Sequence, residues 1–245
     1  MISVCMATYN GERFIKKQLD SILSQISEND EIIISDDGSS DSTLNIIQSY
    51  KDSRIKLLNH NKDLSLLKEK SSSFKLVAQN FENALCKAKG DYIFLSDQDD
   101  IWKENKVSET IKALQTFDIV MSNFSIIDEN DKITKENFYS STPISKFFLV
   151  NIIRSHFLGC CMAFRKRVLD YCLPFPKKLI GHDYWIGCLG TYRYNFYFIS
   201  SPLHLYRRTL NNVSTSTGKS NNSIFYRIKY RFDFFISILF HIVKK

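Results

Sequence analysis

The sequence of 245 residues lacks the glycine-rich loops that mark two large groups of nucleotide-binding proteins. It contains no G-x-G-x-x-G and no G-x-x-x-x-G-K-[ST], which argues against a nicotinamide dinucleotide site and against a P-loop. The six cysteines include no C-x-x-C pair, and several stand within apolar runs. They are therefore predicted to be reduced core thiols, and their spacing supports neither a disulfide framework nor a zinc site.

Two further absences bear on export and membrane insertion. No basic leader precedes the apolar stretch that begins the sequence, so we expect a cytosolic protein. The C-terminal apolar run at residues 232–243 falls far short of the roughly 20 residues that a membrane-spanning helix requires. With 44% hydrophobic and 24% charged residues, the chain can bury the core of one large domain.

The second half of the chain is poor in acidic residues. Residues 1–130 hold 15 Lys/Arg and 21 Asp/Glu, whereas residues 131–245 hold 18 and 5, within a net charge of +7. A basic C-terminal half favours an anionic partner: a nucleic acid, a phosphorylated ligand or an anionic membrane. A solvated basic face would produce the same count, so charge alone leaves these alternatives open.

Apolar strands alternate with amphipathic helices through the first half. The pattern predicts strands at residues 2–7, 31–35, 54–58 and 92–95, with helices at 12–25, 42–50 and 74–89. This order is typical of an α/β fold: a mostly parallel open sheet with helices on both faces.

The second half continues the pattern less regularly. It is predicted to contain helices at 104–115, 165–172 and from 181, and strands at 118–123, 157–164, 195–200 and 203–206, with an irregular stretch at 124–155. We therefore divide the chain into a main domain and a tail. The main domain covers residues 1–213, with halves at 1–123 and 124–213, and a basic amphipathic tail covers 214–245.

Polar signatures follow three of the predicted strands. They are Thr8-Tyr9-Asn10, Asp36-Asp37-Gly38 and Asp97-Gln98-Asp99-Asp100. In open α/β sheets, ligands bind at the carboxyl ends of the strands. We therefore expect the three loops to converge on one site.

The third signature places three carboxylates within four residues. Like charges this close raise one another's pKa unless a cation lies among them. A hard cation with oxygen ligands, Mg²⁺ or Mn²⁺, is therefore predicted among Asp97, Asp99 and Asp100. The alternative is an acidic turn in which Asp100 caps the next helix.

Taken in order, these stretches resemble the family 2 glycosyltransferases, especially their rhamnosyltransferase-like bacterial branch. The matching pieces are Ala7 to Gly11, Ser35 to Asp41, Ser96 to Trp102, Gly159 with Met162 and Phe164, and His182 to Trp185. Together they cover residues 1 to about 213. The resemblance implies the nucleotide-diphospho-sugar transferase fold of A-type glycosyltransferases, with inverting sugar transfer.

The resemblance also implies a role for each matched position. The implied donor-binding residues are Thr8, Tyr9, Asp36, Asp37, Asp97 and Gly159. Asp99, with Asp97, would hold the metal, and Asp183 would be the general base. Asp183 stands at a predicted helix start, where the helix dipole favours an ionised carboxylate. The alternative for this position is a simple helix charge, with His182 at the surface.

One departure from the family pattern concerns the last strand. In this branch a histidine that can reach the metal stands two residues after an arginine, but here Thr209 follows Arg207 at that spacing. His204 or His182 could replace it. Arg207 is predicted to bind the diphosphate as a donor-binding residue, and Arg208 could do the same, since a guanidinium forks onto phosphate oxygens.

The tail carries an apolar stripe with basic flanks. Its residues recur at three- and four-residue steps: Phe225, Ile228, Phe232, Phe235, Leu239 and Ile242. A helix at 222–245 that lies on a membrane surface fits this pattern. A helix packed on the domain or in a dimer fits it equally well.

Together these features predict a metal-dependent, inverting transferase. The donor would be a dTDP- or UDP-sugar carrying rhamnose or another hexose, and the acceptor a lipid-linked saccharide of bacterial surface polysaccharide. We expect the enzyme to lie at the inner face of the cell membrane and to bind no nucleic acid. Two alternatives are a nucleotidyltransferase, which would want a glycine- and lysine-rich first loop, and a non-catalytic sugar-nucleotide or membrane-binding protein.

Overall fold

One sheet with helices on both faces forms the body of the molecule. The computed structural model describes residues 1–63, 65–66, 72–145, 147–154, 156–177, 179, 181–209 and 224–245. The first four strands are β1 (Ile2–Thr8), β2 (Glu31–Asp36), β3 (Ile55–Asn59) and β4 (Tyr92–Ser96). They are parallel, as the sequence pattern predicted, and they lie in the order β3-β2-β1-β4.

Burial and register in this parallel half follow from the apolar runs. Every residue of β2 is buried, as expected of a strand that is covered on both faces. Thr8 pairs with Asp36 across β1 and β2, and Asp36 pairs with Asn59 across β2 and β3. The carboxyl ends of these strands therefore finish level, and the loops that follow them start from one edge.

Of the first four helices, three cover the two faces of this half, and the fourth packs mainly on the second half of the sheet. They are α1 (Ile15–Leu23), α2 (Thr43–Ser49), α3 (Ser72–Leu85) and α4 (Lys106–Leu114). Leu19 of α1 belongs to the same buried apolar cluster as Ile32 of β2. Phe81 of α3 belongs to the opposite cluster, with Ile33. The alternation of β2 side chains thus builds two separate cores.

The second half of the sheet is mixed rather than parallel. Its strands are β5 (Ile101–Trp102), β6 (Ile119–Ile127), β7 (Ile133–Lys135), β8 (Met162–Arg165) and β9 (Phe196–Arg207). β8 lies between β4 and β6 and runs antiparallel to both, whereas β9 is parallel to β6. The predicted class, an open α/β sheet with helices on both faces, is confirmed, with antiparallel strands added in this half.

Two strand predictions in this half are wrong in detail. The apolar stretch 157–164 is a strand only from Met162, because a short 3-10 turn at Gly159–Cys161 precedes it. The two strands predicted at 195–200 and 203–206 are one strand, β9. Its register against β6 shifts near Pro202. Proline has no backbone N–H to donate to the neighbouring strand, so an irregular register is expected at this point.

The remaining helices gather beyond the mixed strands. They are α5 (Phe148–Ile153), α6 (Lys166–Cys172), α7 (His182–Arg193) and α8 (Ile224–Lys244). The short α5 was not predicted, because it falls in the irregular stretch. The Tyr184 hydroxyl donates to the Ile152 carbonyl, which ties α7 to α5.

The tail helix α8 has two apolar faces. On one face Phe234 and Ile238 are buried, and the Phe234 ring stacks on Tyr184 of α7 with 3.9 Å between centroids. The other face is exposed: Phe225, Ile228, Phe232, Leu239, Phe240 and Val243. The predicted boundary between 213 and 214 lies outside the described residues. Among the described helices, none is both long and apolar enough to cross a bilayer.

Candidate active site

Direct hydrogen bonds join the loops that follow the parallel strands. The Gln98 side chain, after β4, accepts from the Tyr9 backbone N–H at 2.9 Å and donates to the Tyr9 carbonyl at 3.0 Å. The Asn10 N–H donates to Ser39 Oγ, which joins the loops after β1 and β2. The expected convergence of three loops on one edge is therefore what the structure shows.

Thr8 and Asp36 hold the first two loops together from inside. Thr8 Oγ1 donates to Asp36 Oδ1 at 2.9 Å, and both side chains are buried. Asp36 also accepts from the Gly38 and Ser39 backbone N–H groups at 3.0 and 2.8 Å. Both oxygens of Asp36 are thus bonded within the protein, where they shape the loop after β2. The sequence had suggested that Asp36 contacts the donor.

Asp37, which is buried, and Tyr9, which is exposed, lie in the loops that follow β2 and β1. Asp37 Oδ2 lies 3.0 Å from Lys62 Nζ, and its Oδ1 lies 2.8 Å from His60 Nδ1. Lys62 Nζ is also 4.2 Å from the centroid of the Tyr9 ring, which is half exposed at 51%. An exposed aromatic ring beside an oriented carboxylate suits a flat heteroaromatic base.

Asp97 and Asp99 form the acidic centre beyond the end of β4. Burial, Asp100, Asp99 and Asp183 together hold the pKa of Asp97 well above its usual range. Burial, with a further contribution from Asp100, raises the pKa of Asp99 to about 7. Each shift records a carboxylate kept out of water among like charges, an arrangement that a cation would relieve.

Asp100 has a different position from its two neighbours. It is fully buried, its Oδ2 accepts from His204 Nε2 at 2.7 Å, and its Oδ1 accepts from the Arg207 backbone N–H at 2.8 Å. The next element is the strand β5 and not a helix. The suggestion that Asp100 caps a helix is therefore wrong: it fastens the acidic loop to β9.

The donor atoms in this loop fit a hard divalent cation. Oxygens of Asp97 and Asp100 and the sulfur of Cys160 lie within 4.8 Å of one another. Burial keeps the pKa of the Cys160 thiol well above its usual range, so it stays protonated and is a poor ligand. The useful donors of this cluster are thus the carboxylate oxygens of Asp97 and Asp100, of the kind that Mg²⁺ and Mn²⁺ prefer, whereas the predicted ligand Asp99 is not part of it.

Asp183 faces this centre from the start of α7. It is among the carboxylates that raise the pKa of Asp97. Its Oδ1 accepts from the Tyr184 N–H at 2.8 Å, and the preceding Gly181 takes the left-handed backbone, with φ of 87°. A Cβ on Gly159 would lie 3.0 Å from His182 Nε2, so that glycine permits the close approach of α7.

His182 is not the surface residue that the simpler alternative supposed. It is buried, and its ring stacks on Phe81 with 3.8 Å between centroids. Burial lowers its pKa, so the ring is neutral. It packs the start of α7 against α3 and thereby fixes the position of Asp183.

Arg207 was expected to fork onto the diphosphate, but its guanidinium is fully buried within the protein. Its Nε donates to the Asp99 carbonyl at 2.7 Å, and its Nη1 donates to the Asp128 carbonyl at 2.9 Å and pairs with Asp131 at 2.6 Å. The ring of Phe14 lies 4.3 Å from its Cζ. Arg207 thus buttresses the acidic loop from behind.

This position predicts a stability effect for Arg207→Met. We expect a loss of about 3 kcal/mol, since removal of one partner of a buried ion pair leaves carbonyl and carboxylate groups unpaired. Urea unfolding would measure it, with Arg208→Met as the neighbouring, partly exposed control. If Arg207→Met were as stable as the wild type but had lost donor binding, Arg207 would be a diphosphate-binding residue, as the sequence suggested.

Three residues of the site were missed or misread from the sequence. Gln98 was noted only as part of a motif, although it links two loops. Lys106 looked like an ordinary helix residue, yet its side chain is buried beside His204. His204 was named as a substitute metal ligand, but both ring nitrogens have protein partners. The sequence carries no signal for these contacts, which join segments about 100 residues apart.

The fold and the site together define an α/β protein with an acidic centre at the carboxyl ends of its parallel strands, the edge at which such sheets bind ligands. The chain belongs to glycosyl transferase family 2, whose model matches residues 3–173. This confirms the family resemblance and, with the relatives below, its rhamnosyltransferase-like branch.

The relatives of known sequence that match the chain are also named as sugar transferases. The chain is 30% identical over 228 residues to dTDP-rhamnosyl transferase RfbG of Shigella flexneri, covering 84% of this chain and 72% of that protein. It is 28% identical over 190 residues to an Escherichia coli protein, UDP-Glc:α-D-GlcNAc-diphosphoundecaprenol β-1,3-glucosyltransferase WfgD, covering 76% and 68%. An uncharacterized Nostoc glycosyltransferase is matched over 55% of its length, so the chain spans only part of several relatives.

Solved structures share the fold. Staphylococcus aureus TarS 1–349 in complex with UDP-GlcNAc matches with a TM-score of 0.68 and 17% identity, over 94% of this chain and 65% of that one. Glucosyl-3-phosphoglycerate synthase of Mycobacterium tuberculosis, in complex with Mn²⁺ and UDP, matches with a TM-score of 0.54 and 20% identity, over 85% and 72%.

Proposed function

We propose that the protein transfers a hexose, rhamnose foremost, from a dTDP- or UDP-sugar to a lipid-linked saccharide, with inversion at the anomeric carbon. The observation that carries this proposal is the meeting of Asp97, Asp99 and Asp183 at the edge where the nucleotide-side loops converge. The names of the relatives support the two donor classes, and the diphosphoundecaprenol acceptor of the E. coli relative supports a lipid carrier.

Asp183 would act as the general base. Its oxygen accepts a backbone N–H at the first turn of α7, and its carboxylate faces Asp97 from the start of that helix. The acceptor hydroxyl would lose its proton to Asp183 as its oxygen attacks the anomeric carbon. The nucleoside diphosphate would leave from the opposite face of the sugar.

The nucleoside diphosphate would be bound by the three loops. Tyr9 would stack on the base, and Asp37 would accept hydrogen bonds from it, oriented by Lys62. Asp97 and Asp99 would hold Mg²⁺ or Mn²⁺. When bound, such a cation supplies charge stabilisation for the diphosphate as it leaves.

Binding and hydrolysis of nucleotide sugars would test this function. The purified protein would be offered dTDP-, UDP- and GDP-sugars in Mg²⁺, Mn²⁺ or EDTA, with calorimetry for binding and nucleotide release for turnover. We expect one dTDP- or UDP-sugar to bind and to hydrolyse slowly only with the metal. Failure of every donor under every metal condition would favour a non-catalytic protein.

The bare outer face of α8 supports a membrane contact in the same proposal. That face is apolar and exposed, and Phe232 and Phe240 are 62% and 73% accessible. The exposed residues Lys229 and Lys244 lie on the same helix. A helix of this kind lies in the membrane interface, where each basic residue near anionic lipid contributes about 1 kcal/mol.

The double variant Phe232→Asp, Phe240→Asp is therefore expected to lose vesicle binding. Withdrawal of each ring from lipid costs about 1.5–3 kcal/mol, so partition into phosphatidylglycerol vesicles should fall more than about tenfold. Cosedimentation would measure it. Ile133→Asp, at an exposed apolar residue of β7, is the matched control. Equal partition of all three proteins would assign the outer face of α8 to a protein contact.

A further inference from the structure

We propose that Lys106 and His204 are positioning residues for the acidic loop: they hold Asp100 in the orientation that leaves Asp97 and Asp99 free to bind a divalent cation. This inference rests on the proposed metal-dependent transfer. It concerns two residues whose side chains meet behind the site, one from α4 and one from β9.

The contacts form an unbroken buried chain. Lys106 Nζ donates to His204 Nδ1 at 2.8 Å and to the Cys160 carbonyl at 2.6 Å. His204 Nε2 donates to Asp100 Oδ2 at 2.7 Å. His204 and Asp100 are fully buried and Lys106 is 2% exposed, so water does not compete for these bonds. Three segments are thereby tied to the acidic loop: α4, β9, and the short turn that precedes β8.

The protonation pattern of the chain follows from its donors and acceptors. A protonated lysine can only donate, so Nδ1 must accept and Nε2 must carry the ring proton. That tautomer places an N–H against the ionised Asp100. Burial, together with Lys106, lowers the pKa of His204 to about 4, which is consistent with a neutral ring. Lys106 thus sets the tautomer, and the tautomer orients the carboxylate.

The consequence for cation binding is electrostatic and geometric. The Lys106 side chain is buried behind the acidic loop, and it reaches Asp100 through His204. An Asp97 oxygen lies within 4.8 Å of an Asp100 oxygen, so the position of the Asp100 carboxylate changes the electrostatic potential at Asp97. Partners that hold ligating carboxylates typically change metal affinity by 10–100-fold when removed.

The family resemblance implies a histidine at position 209, where this chain has Thr209. His204 supplies an imidazole elsewhere in the same site. His204 does not face a cation directly, because both of its nitrogens are committed to Lys106 and Asp100. Its action on the metal goes through the carboxylate. The imidazole therefore stabilises the ligand set and not the ion itself.

Mn²⁺ binding by the intact protein, followed by the loss of the free Mn²⁺ EPR signal, would test the inference without turnover. We expect His204→Leu and Lys106→Met each to raise the Kd for Mn²⁺ about 10–100-fold. The double variant should be no weaker than His204→Leu alone, because the two residues act in series.

Conservative variants separate positioning from general loss of stability. A glutamine amide nitrogen can take the place of Nε2, so His204→Gln should retain most of the Mn²⁺ affinity. The shorter His204→Asn cannot reach Asp100 and should lose it. His241→Leu is the matched control, since His241 also bonds through its ring, to the Tyr171 carbonyl, but on α8. If His204→Leu does not fold, the Gln and Asn pair carries the comparison.

The outcomes distinguish this inference from the proposed function. A wild-type protein that binds Mn²⁺, with His204→Asn and Lys106→Met binding equally well, would overturn the positioning role and leave the transferase proposal intact. A wild-type protein that binds donor but no Mn²⁺ under any condition would overturn the positioning role and the metal requirement together.

Discussion

Asp183→Asn is expected to lower kcat by about 10²–10⁴-fold while donor binding is preserved, because a positioned general base contributes that factor to proton removal. Asparagine keeps the oxygen that accepts from the Tyr184 N–H, so α7 should begin in the same way. What it loses is the capacity to take the acceptor's proton. Steady-state transfer to a saccharide acceptor, with calorimetric donor binding beside it, would measure both quantities.

Asp170→Asn provides the control for this substitution. Asp170 is an exposed carboxylate on α6, paired with Lys166 one helical turn earlier. The control should leave kcat unchanged, since exposed pairs of this kind contribute little. Wild-type turnover by Asp183→Asn would exclude it as the base, and a collapse of donor binding in that variant would give it a binding role instead.

Asp99→Asn is expected to abolish the metal-dependent part of donor binding and to reduce turnover more than about 100-fold. A cation at a departing diphosphate stabilises the transition state by several kcal/mol, and each 1.36 kcal/mol is tenfold in rate. Asparagine conserves the size of the side chain but removes one negative charge from the centre. Donor titrations in Mn²⁺ and in EDTA would show the effect as a lost difference between the two.

Asp91→Asn is the matched control for Asp99→Asn. Asp91 lies just before the opposite end of β4, is exposed, and pairs with the N-terminal amine at 3.0 Å. Its substitution should leave the Mn²⁺ dependence of donor binding intact. If Asp99→Asn retained that dependence as well, the cation would have to be held by Asp97 and Asp100, whose oxygens already lie close together.

The position of the site was available from the sequence. Apolar runs predict strands, their alternation with helices predicts parallel strands in the first half, and parallel strands place their carboxyl ends at one edge. Thr8, Asp37 and Asp97 therefore had to come near one another. The local pattern was sufficient because each of these residues ends its own strand or follows it directly.

The sequence pattern was insufficient where a partner lies far along the chain. The sequence suggested that Asp100 caps a helix. In the structure Asp100 bonds to His204, about 100 residues later, and anchors the acidic loop. Arg207 read as a diphosphate ligand, but contacts with Asp99 and Asp128 placed its guanidinium in the interior. Buried polar groups take partners wherever folding brings them, and no spacing rule anticipates that.

The C-terminal tail also separates what the sequence predicts from what the tertiary structure decides, here for a whole helix. Sequence periodicity by itself predicted a helix with an apolar stripe at residues 222–245, and it left membrane contact and protein packing as equal alternatives. Only the tertiary structure decided that Phe234 and Ile238 pack on α7 while Phe232 and Phe240 stay exposed. The reason is physical: periodicity follows from the backbone of one segment, whereas burial depends on which other segment the fold brings against it.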